Sequence, residues 1–149
     1  MGAYDRDFHA WAEEQGELIR SRSTNAIDWD NVAEEIESLG RQERGELYSH
    51  LVLLLTHLLK WRYQHKRRSR SWRATLMNQR LDIARQLKLS PSLKAVLQEE
   101  FDDAYPRARS QAEQETRLPA ATFPEASPFT LSQTVDADWW PEGDDGSAA

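Results

Sequence analysis

A strongly basic segment, residues 60–73, holds the side chains whose chemistry is easiest to interpret. It contains seven cations and no acid, and three aromatic rings lie among them. Cations at this density can neutralise phosphates and rings can stack on bases, so the segment suits a nucleic-acid or partner-binding surface. The residues assigned to this surface are Lys66, Arg67, Arg68, Arg70 and Arg73, with Lys60, Arg62, Trp61, Tyr63 and Trp72 around them.

The same segment also suits an internal role. Trp61 and Trp72 can anchor a helix corner in the core, and the cations can then pair with acidic helices. The charge of the whole chain favours this interpretation, because it is -6, whereas nucleic-acid-binding domains are usually basic. We therefore expect the segment to face acidic protein, and nucleic-acid binding through residues 60–73 is the alternative.

Glu46, His50 and His57 form the one set of side chains with metal-ligand spacing. Their offsets place all three within about 40° on one helical face. Imidazole and carboxylate groups can hold zinc or iron, so a divalent metal and a metal-dependent enzyme form a further hypothesis. Di-iron bundles use Glu-x-x-His pairs on two helices, however, and this chain lacks them. We therefore expect no cofactor, with both histidines hydrogen-bonded to neighbouring helices.

The charges of the chain lie in three blocks. Residues 1–59 carry 12 acidic and 5 basic side chains, residues 60–94 carry 1 and 11, and residues 95–149 carry 12 and 3. Blocks of opposite sign attract each other, which suits self-association or docking on a complementary protein. The function expected first is therefore a non-enzymatic protein-interaction or regulatory module.

The fold class expected from the pattern is all-α. Glycine and proline are scarce before residue 118, and runs of alternating β-branched residues are missing. Apolar residues recur instead at helical spacing, which predicts a bundle of about five helices within residues 4–117. The predicted helices cover residues 5–22, 28–40, 41–64 and 71–89, and a fifth begins at residues 90–91.

Two of these helices carry expectations that matter below. In the second, Val32, Ile36 and Leu39 follow an apolar stripe, and Gly40 is expected to end the helix as its cap. In the fourth, the buried face is expected to be widened by Met77, Leu81 and Ala84.

The composition changes at residue 118. Residues 118–141 contain four prolines and are expected to form an extended arm that packs on the bundle, anchored by Trp139 and Trp140. The two tryptophans suit docking on the same chain or on a partner. Residues 142–149 are expected to be a disordered tail.

Nothing in the sequence indicates export or membrane insertion. Cysteine is absent, and residues 1–7 lack the basic region and apolar run of a secretory signal. The most apolar stretch, residues 51–59, is far shorter than the roughly 20 residues that span a bilayer. We expect a soluble cytoplasmic protein without membrane contact.

Several strings in the chain resemble those of one known family. The strongest covers residues 33–41, Ala-Glu-Glu-Ile-Glu-Ser-Leu-Gly-Arg, and weaker ones are residues 4–8, 57–61, 68–72 and 90–93. Together they resemble a bacterial family known as domain of unknown function twenty-nine, common in cyanobacteria and proteobacteria. The resemblance spans about residues 4–141 and implies a helical bacterial protein. It implies no activity and no catalytic residues.

Overall fold

The computed structural model describes residues 2–141, so the tail expected over residues 142–149 lies outside the described residues. Within residues 2–141 the regular elements are helices and no strand occurs, which confirms the all-α prediction. The α-helices are α1 (Ala3–Arg6), α2 (Phe8–Arg20), α3 (Trp29–Tyr63), α4 (Arg70–Leu89), α5 (Leu97–Thr116) and α6 (Leu131–Val135). Short 3-10 helices cover Thr24–Ala26, His65–Arg67, Pro91–Ala95 and Ala120–Thr122.

Helix α3 is continuous through Gly40, so the predicted helix end at this residue is wrong. A glycine ends a helix when it adopts the left-handed conformation, and here good helix-forming residues continue on both sides. A glycine inside a helix costs about 1 kcal/mol relative to alanine, which a 35-residue helix tolerates. A methyl group added at Gly40 would meet no atom within 4 Å, so close packing does not require the glycine.

The first predicted helix is interrupted at Asp7. The side chain of Asp7 accepts a hydrogen bond from the backbone N–H of Ala10 at 3.0 Å and so caps α2. This cap satisfies one of the free N–H groups in the first turn of α2. The single helix expected over residues 5–22 is therefore α1 followed by α2.

The chain divides into two compact units, Met1–Glu43 and Arg44–Ala149, and the division lies within α3. The first unit contains α1, α2 and the first part of α3. The second contains the remainder of α3, α4, α5 and the C-terminal arm.

The first unit is held together largely by polar contacts around Asp28. Its carboxylate accepts hydrogen bonds from Trp11 Nε1 at 3.0 Å and Asn31 Nδ2 at 2.9 Å, and its backbone N–H donates to Gln15 Oε1 at 2.7 Å. Hydrogen bonds from Asn31 and Trp11 lower the pKa of Asp28. In the described part of this unit, the buried residues are Trp11, Gln15 and Ile27. The unit therefore has a small apolar core.

The second unit has a large apolar core. The leucines of α3 form its centre, and α4, α5 and the arm cover them. Pro106 lies inside α5 without ending it, and Phe101, Ala104, Tyr105 and Ala108 of α5 are buried. On α4, Met77, Leu81 and Ala84 are exposed, so the expectation that they widen the buried face is wrong. The fully buried apolar members from α3 and α4 are Leu47, Leu51, Leu54, Leu55, Leu58, Leu59, Leu76 and Ile83.

The continuity of α3 can be tested by stability. We expect Gly40→Ala to raise the free energy of unfolding by about 0.5–1 kcal/mol, because alanine loses less backbone entropy in a helix interior. Gly45→Ala is the matched control, since Gly45 also lies in α3 with no atom near an added methyl group. Urea denaturation measures both variants. A loss of stability in Gly40→Ala alone would instead indicate a left-handed helix cap at residue 40.

Candidate functional site

Several cations of the basic segment make structural contacts within the second unit. The ammonium of Lys60 forms an ion pair with Glu115 at 3.0 Å and lies 4.7 Å from the centre of the Trp72 ring. Arg68 donates from Nε to the backbone oxygen of Trp61 at 2.8 Å, and its guanidinium lies 4.8 Å from the Trp61 ring. These cations stabilise the helix corner, which supports the internal role expected for this part of the segment.

The ring of Trp140 brings two further arginines together with the arm. Trp140 is buried and packs on Trp61 with ring centres 4.8 Å apart. The guanidinium of Arg73 lies 4.6 Å from the Trp140 ring and that of Arg80 lies 5.6 Å from it. We call Trp61, Trp140, Arg68, Arg73 and Arg80 the cation–aromatic cluster. It fastens the end of the arm to α3 and α4 within the second unit.

Arg80 is the least expected member of this cluster. It is 2% exposed, and its Nε donates to the carbonyl of Thr134 at 2.8 Å while Nη2 donates to Gln133 at 3.3 Å. Burial lowers the pKa of Arg80. The sequence carries a signal for this position, because Arg80 lies four residues after Leu76 and three before Ile83, on the buried face of α4. The sequence interpretation missed that signal.

Lys66, Arg67 and Arg70 remain at the surface. All three are exposed, and none forms an ion pair with another residue in the range 2–141. They lie on the 3-10 helix His65–Arg67 and at the start of α4. We call these three residues the basic corner. Of the five candidate binding residues, Arg68 and Arg73 therefore make structural contacts. The other three form the basic corner, which is accessible to a partner.

The structure does not gather the predicted metal ligands into a site. His50 Nδ1 lies 2.7 Å from Gln79 Oε1, His57 Nδ1 lies 3.0 Å from the carbonyl of Leu53, and Glu46 is exposed. Burial lowers the pKa of His57, which favours its neutral form. Across the described residues, no three His, Asp or Glu side chains are arranged to hold a metal ion. His50 is hydrogen-bonded to the neighbouring helix α4, as expected, whereas His57 is hydrogen-bonded within its own helix α3, so the expectation for His57 is wrong.

The first unit carries an open apolar groove of about 260 Å³ between α2 and the first part of α3. We call it the hairpin groove. Two polar side chains, Gln15 and Glu35, line it, and both are hydrogen-bonded within the unit. Its wall therefore offers apolar contact area rather than free reacting groups. The apolar residues that line it are Phe8, Trp11, Ala12 and Ile19 from α2 and Val32, Ile36 and Leu39 from α3.

Four of the apolar side chains that line the hairpin groove are exposed. Ile36 and Leu39 are each 63% exposed, and Phe8 and Ile19 are exposed as well. A contiguous apolar surface of this kind marks an interaction site more often than scattered single residues do. The sequence predicted the stripe of α3 correctly, but periodicity identifies an apolar face without showing what covers it. The groove itself was therefore missed.

The unit that carries the hairpin groove is acidic. The hydroxyl of Tyr4 donates to the carboxylate of Glu35, which lines the groove, and this hydrogen bond raises the pKa of Tyr4 to about 12. Residues 1–43 carry 11 acidic and 4 basic side chains. The groove thus offers an apolar wall within a unit of net negative charge, which favours ligands that are apolar and cationic.

The two units and their surfaces define an all-helical protein with an exposed apolar groove in one unit and a basic corner in the other. The family model of domain of unknown function DUF29 matches residues 3–140, and the chain belongs to this family. This confirms the resemblance seen in the sequence. Neither the curated proteins nor the solved structures gave a match to the chain. Among the described residues, no helix has both the length and the apolar character needed to cross a membrane.

The contribution of Arg80 can be measured directly. We expect Arg80→Ala to lower the free energy of unfolding by about 3 kcal/mol, because two charge-assisted hydrogen bonds to the arm and buried packing are lost. The matched control is Arg85→Ala, an exposed arginine on the same helix, whose effect should stay within about 0.5 kcal/mol. Urea denaturation compares the two variants. Equal losses would show that Arg80 does not hold the arm.

Proposed function

We propose that this protein is a non-enzymatic protein-interaction module whose docking surface is the hairpin groove. The observation that carries the proposal is the exposure of Ile36 and Leu39 beside an apolar groove in an otherwise acidic unit. Leaving such side chains in water costs about 25 cal/mol for each Å² of apolar surface. A partner that covers them recovers this free energy on binding.

The shape and charge of the groove support one kind of partner. Two roughly adjacent helices leave a channel into which a third amphipathic helix can lay its apolar face, with anchors at i, i+3 or i+4, and i+7. Because residues 1–43 carry an excess of seven negative charges, cations beside those anchors would be attracted. The partner we propose is therefore a basic amphipathic helix.

A photo-crosslinking amino acid placed at Leu39 tests this function in cells that express the full chain. We expect a discrete adduct, whose crosslinked peptide in the partner is identified by mass spectrometry as a basic amphipathic helix. The adduct should disappear when Ile36→Ser is added, since that change removes an apolar wall of the groove. The matched control places the crosslinker at Leu89, which is 71% exposed and lies outside the groove.

Two results would contradict the proposed function. The first is an adduct that persists in the Ile36→Ser background. The second is the absence of any adduct specific to Leu39 while Leu89 reacts to the same extent.

Nucleic-acid binding through the basic corner is the second candidate function. The observation in its favour is that Lys66, Arg67 and Arg70 are exposed and form no ion pair within residues 2–141. Three cations so close together can contact successive phosphates. The surrounding excess of acid weakens such binding, which is why this function is placed second.

Fluorescence anisotropy of labelled single-stranded RNA measures this binding across a range of salt concentrations. If the basic corner contacts phosphates, changing Lys66, Arg67 and Arg70 to Gln should flatten the slope of log K against log salt by about 2. The control changes three other exposed cations to Gln, Lys94, Arg107 and Arg117, and removes the same total charge. Equal effects of the two triple variants, or no binding at low salt, would eliminate this candidate.

A further inference from the structure

We propose that the hairpin groove is occupied by α4 of a second copy of this chain. The inference rests on the proposed function of the groove and adds the identity of the partner. It commits the protein to self-association through two different surfaces, both of which the described residues supply.

Helix α4 presents an exposed apolar stripe that its own unit leaves uncovered. Ala74, Met77, Leu81 and Ala84 follow one another at offsets of 3, 4 and 3, which places them on one face. All four are exposed, with Met77 at 46% and Leu81 at 63%. The stripe has the anchor spacing that a helix needs to lie in an apolar groove.

The opposite face of α4 shows that this exposure is a property of the stripe and not of a loosely held helix. Leu76, Arg80 and Ile83 are buried in the second unit. The buried residues of α4 therefore hold the helix in its unit, and the stripe remains exposed for a second molecule to contact. A rigid helix loses little conformational entropy when it docks, which favours binding.

The charges beside the stripe are opposite in sign to the net charge of the unit that carries the groove. Arg70, Arg85 and Lys88 are exposed and project from the same side of α4 as the stripe, by the spacing of 3.6 residues per turn. Residues 70–89 carry 5 basic and 1 acidic side chains, while residues 1–43 carry 4 and 11. Helix α4 thus combines an exposed apolar face with net positive charge. The first unit combines its apolar groove with net negative charge.

The same charges disfavour the simplest alternative, in which two hairpin grooves pack against each other. Each groove belongs to a unit with an excess of seven negative charges. Like charges brought together oppose association, whereas the contact between groove and α4 stripe joins opposite signs. Because the two surfaces differ, each copy carries one of each and can contribute either surface to the contact.

Sedimentation equilibrium of the full chain tests this inference. We expect self-association that weakens at least about tenfold in dissociation constant with Ile36→Glu in the groove and equally with Leu81→Glu in the stripe, because each places a carboxylate against apolar surface. Leu89→Glu is the matched control, since Leu89 is exposed on α4 but lies off the stripe. All three side chains are exposed, so circular dichroism should show unchanged folding.

Mixing the two weakened variants gives the decisive measurement. The Ile36→Glu chain keeps an intact stripe and the Leu81→Glu chain keeps an intact groove, so one native contact can form between them. We expect the mixture to associate more tightly than either variant alone. If the groove instead bound a second groove, or the stripe a second stripe, the mixture would show no such recovery.

The outcomes separate this inference from the function on which it rests. A chain that stays monomeric contradicts the proposal that α4 of a second copy occupies the groove. An association weakened by Ile36→Glu but not by Leu81→Glu contradicts it as well. If the adduct at Leu39 then still forms on a basic helix of another protein, the docking function of the groove stands. An association that neither variant affects, together with no groove-specific adduct, overturns both.

Discussion

The burial of the Arg80 guanidinium is the constraint on which the second unit depends. A charge that leaves water must be compensated, and here two backbone carbonyls of the arm and the face of Trp140 provide the compensation. The arm must therefore lie against α4, and its own aromatic residues Phe123 and Phe129 complete the core. Arg68 and Arg73 belong to the same cluster, so part of the basic segment makes contacts that stabilise the fold.

The first unit obeys a different constraint, which is its size. Forty-three residues cannot bury a large core, because small units expose much of their surface. The polar contacts of Asp28 with Trp11 and Gln15 fix the loop between α2 and α3, but they add little apolar burial. The apolar stripes of the two helices consequently meet only in part, and the rest of each stripe lines the hairpin groove.

The helices could be predicted from the sequence because their signals are local. The spacing of apolar residues located α4 and α5. The Ser-Pro pair at residues 90–91 was wrong as the start of the fifth helix, because it begins the 3-10 helix Pro91–Ala95 and α5 starts at Leu97. Gly40 misled because a helix end depends on the left-handed conformation, which composition does not reveal. Whether a side chain is exposed, by contrast, depends on neighbours that are distant in the sequence. Val32 and Leu76 belong to equally regular stripes, yet only the second is fully buried, since the first lacks enough packed neighbours in its unit. The groove and the buried Arg80 therefore required the structure.

The distribution of charge links the two surfaces. Several basic side chains of the second unit contact rings and carbonyl groups, since Arg68 and Arg80 donate to backbone oxygens and Arg73 lies against the Trp140 ring. Such contacts hold a cation in place without neutralising it. The acids of the first unit outnumber its bases by seven, so that unit cannot neutralise itself either. The first unit carries this net negative charge, and α4 carries 5 basic and 1 acidic side chains. Each has exposed apolar side chains as well, so the chain has the complementary surfaces that specific association between copies requires.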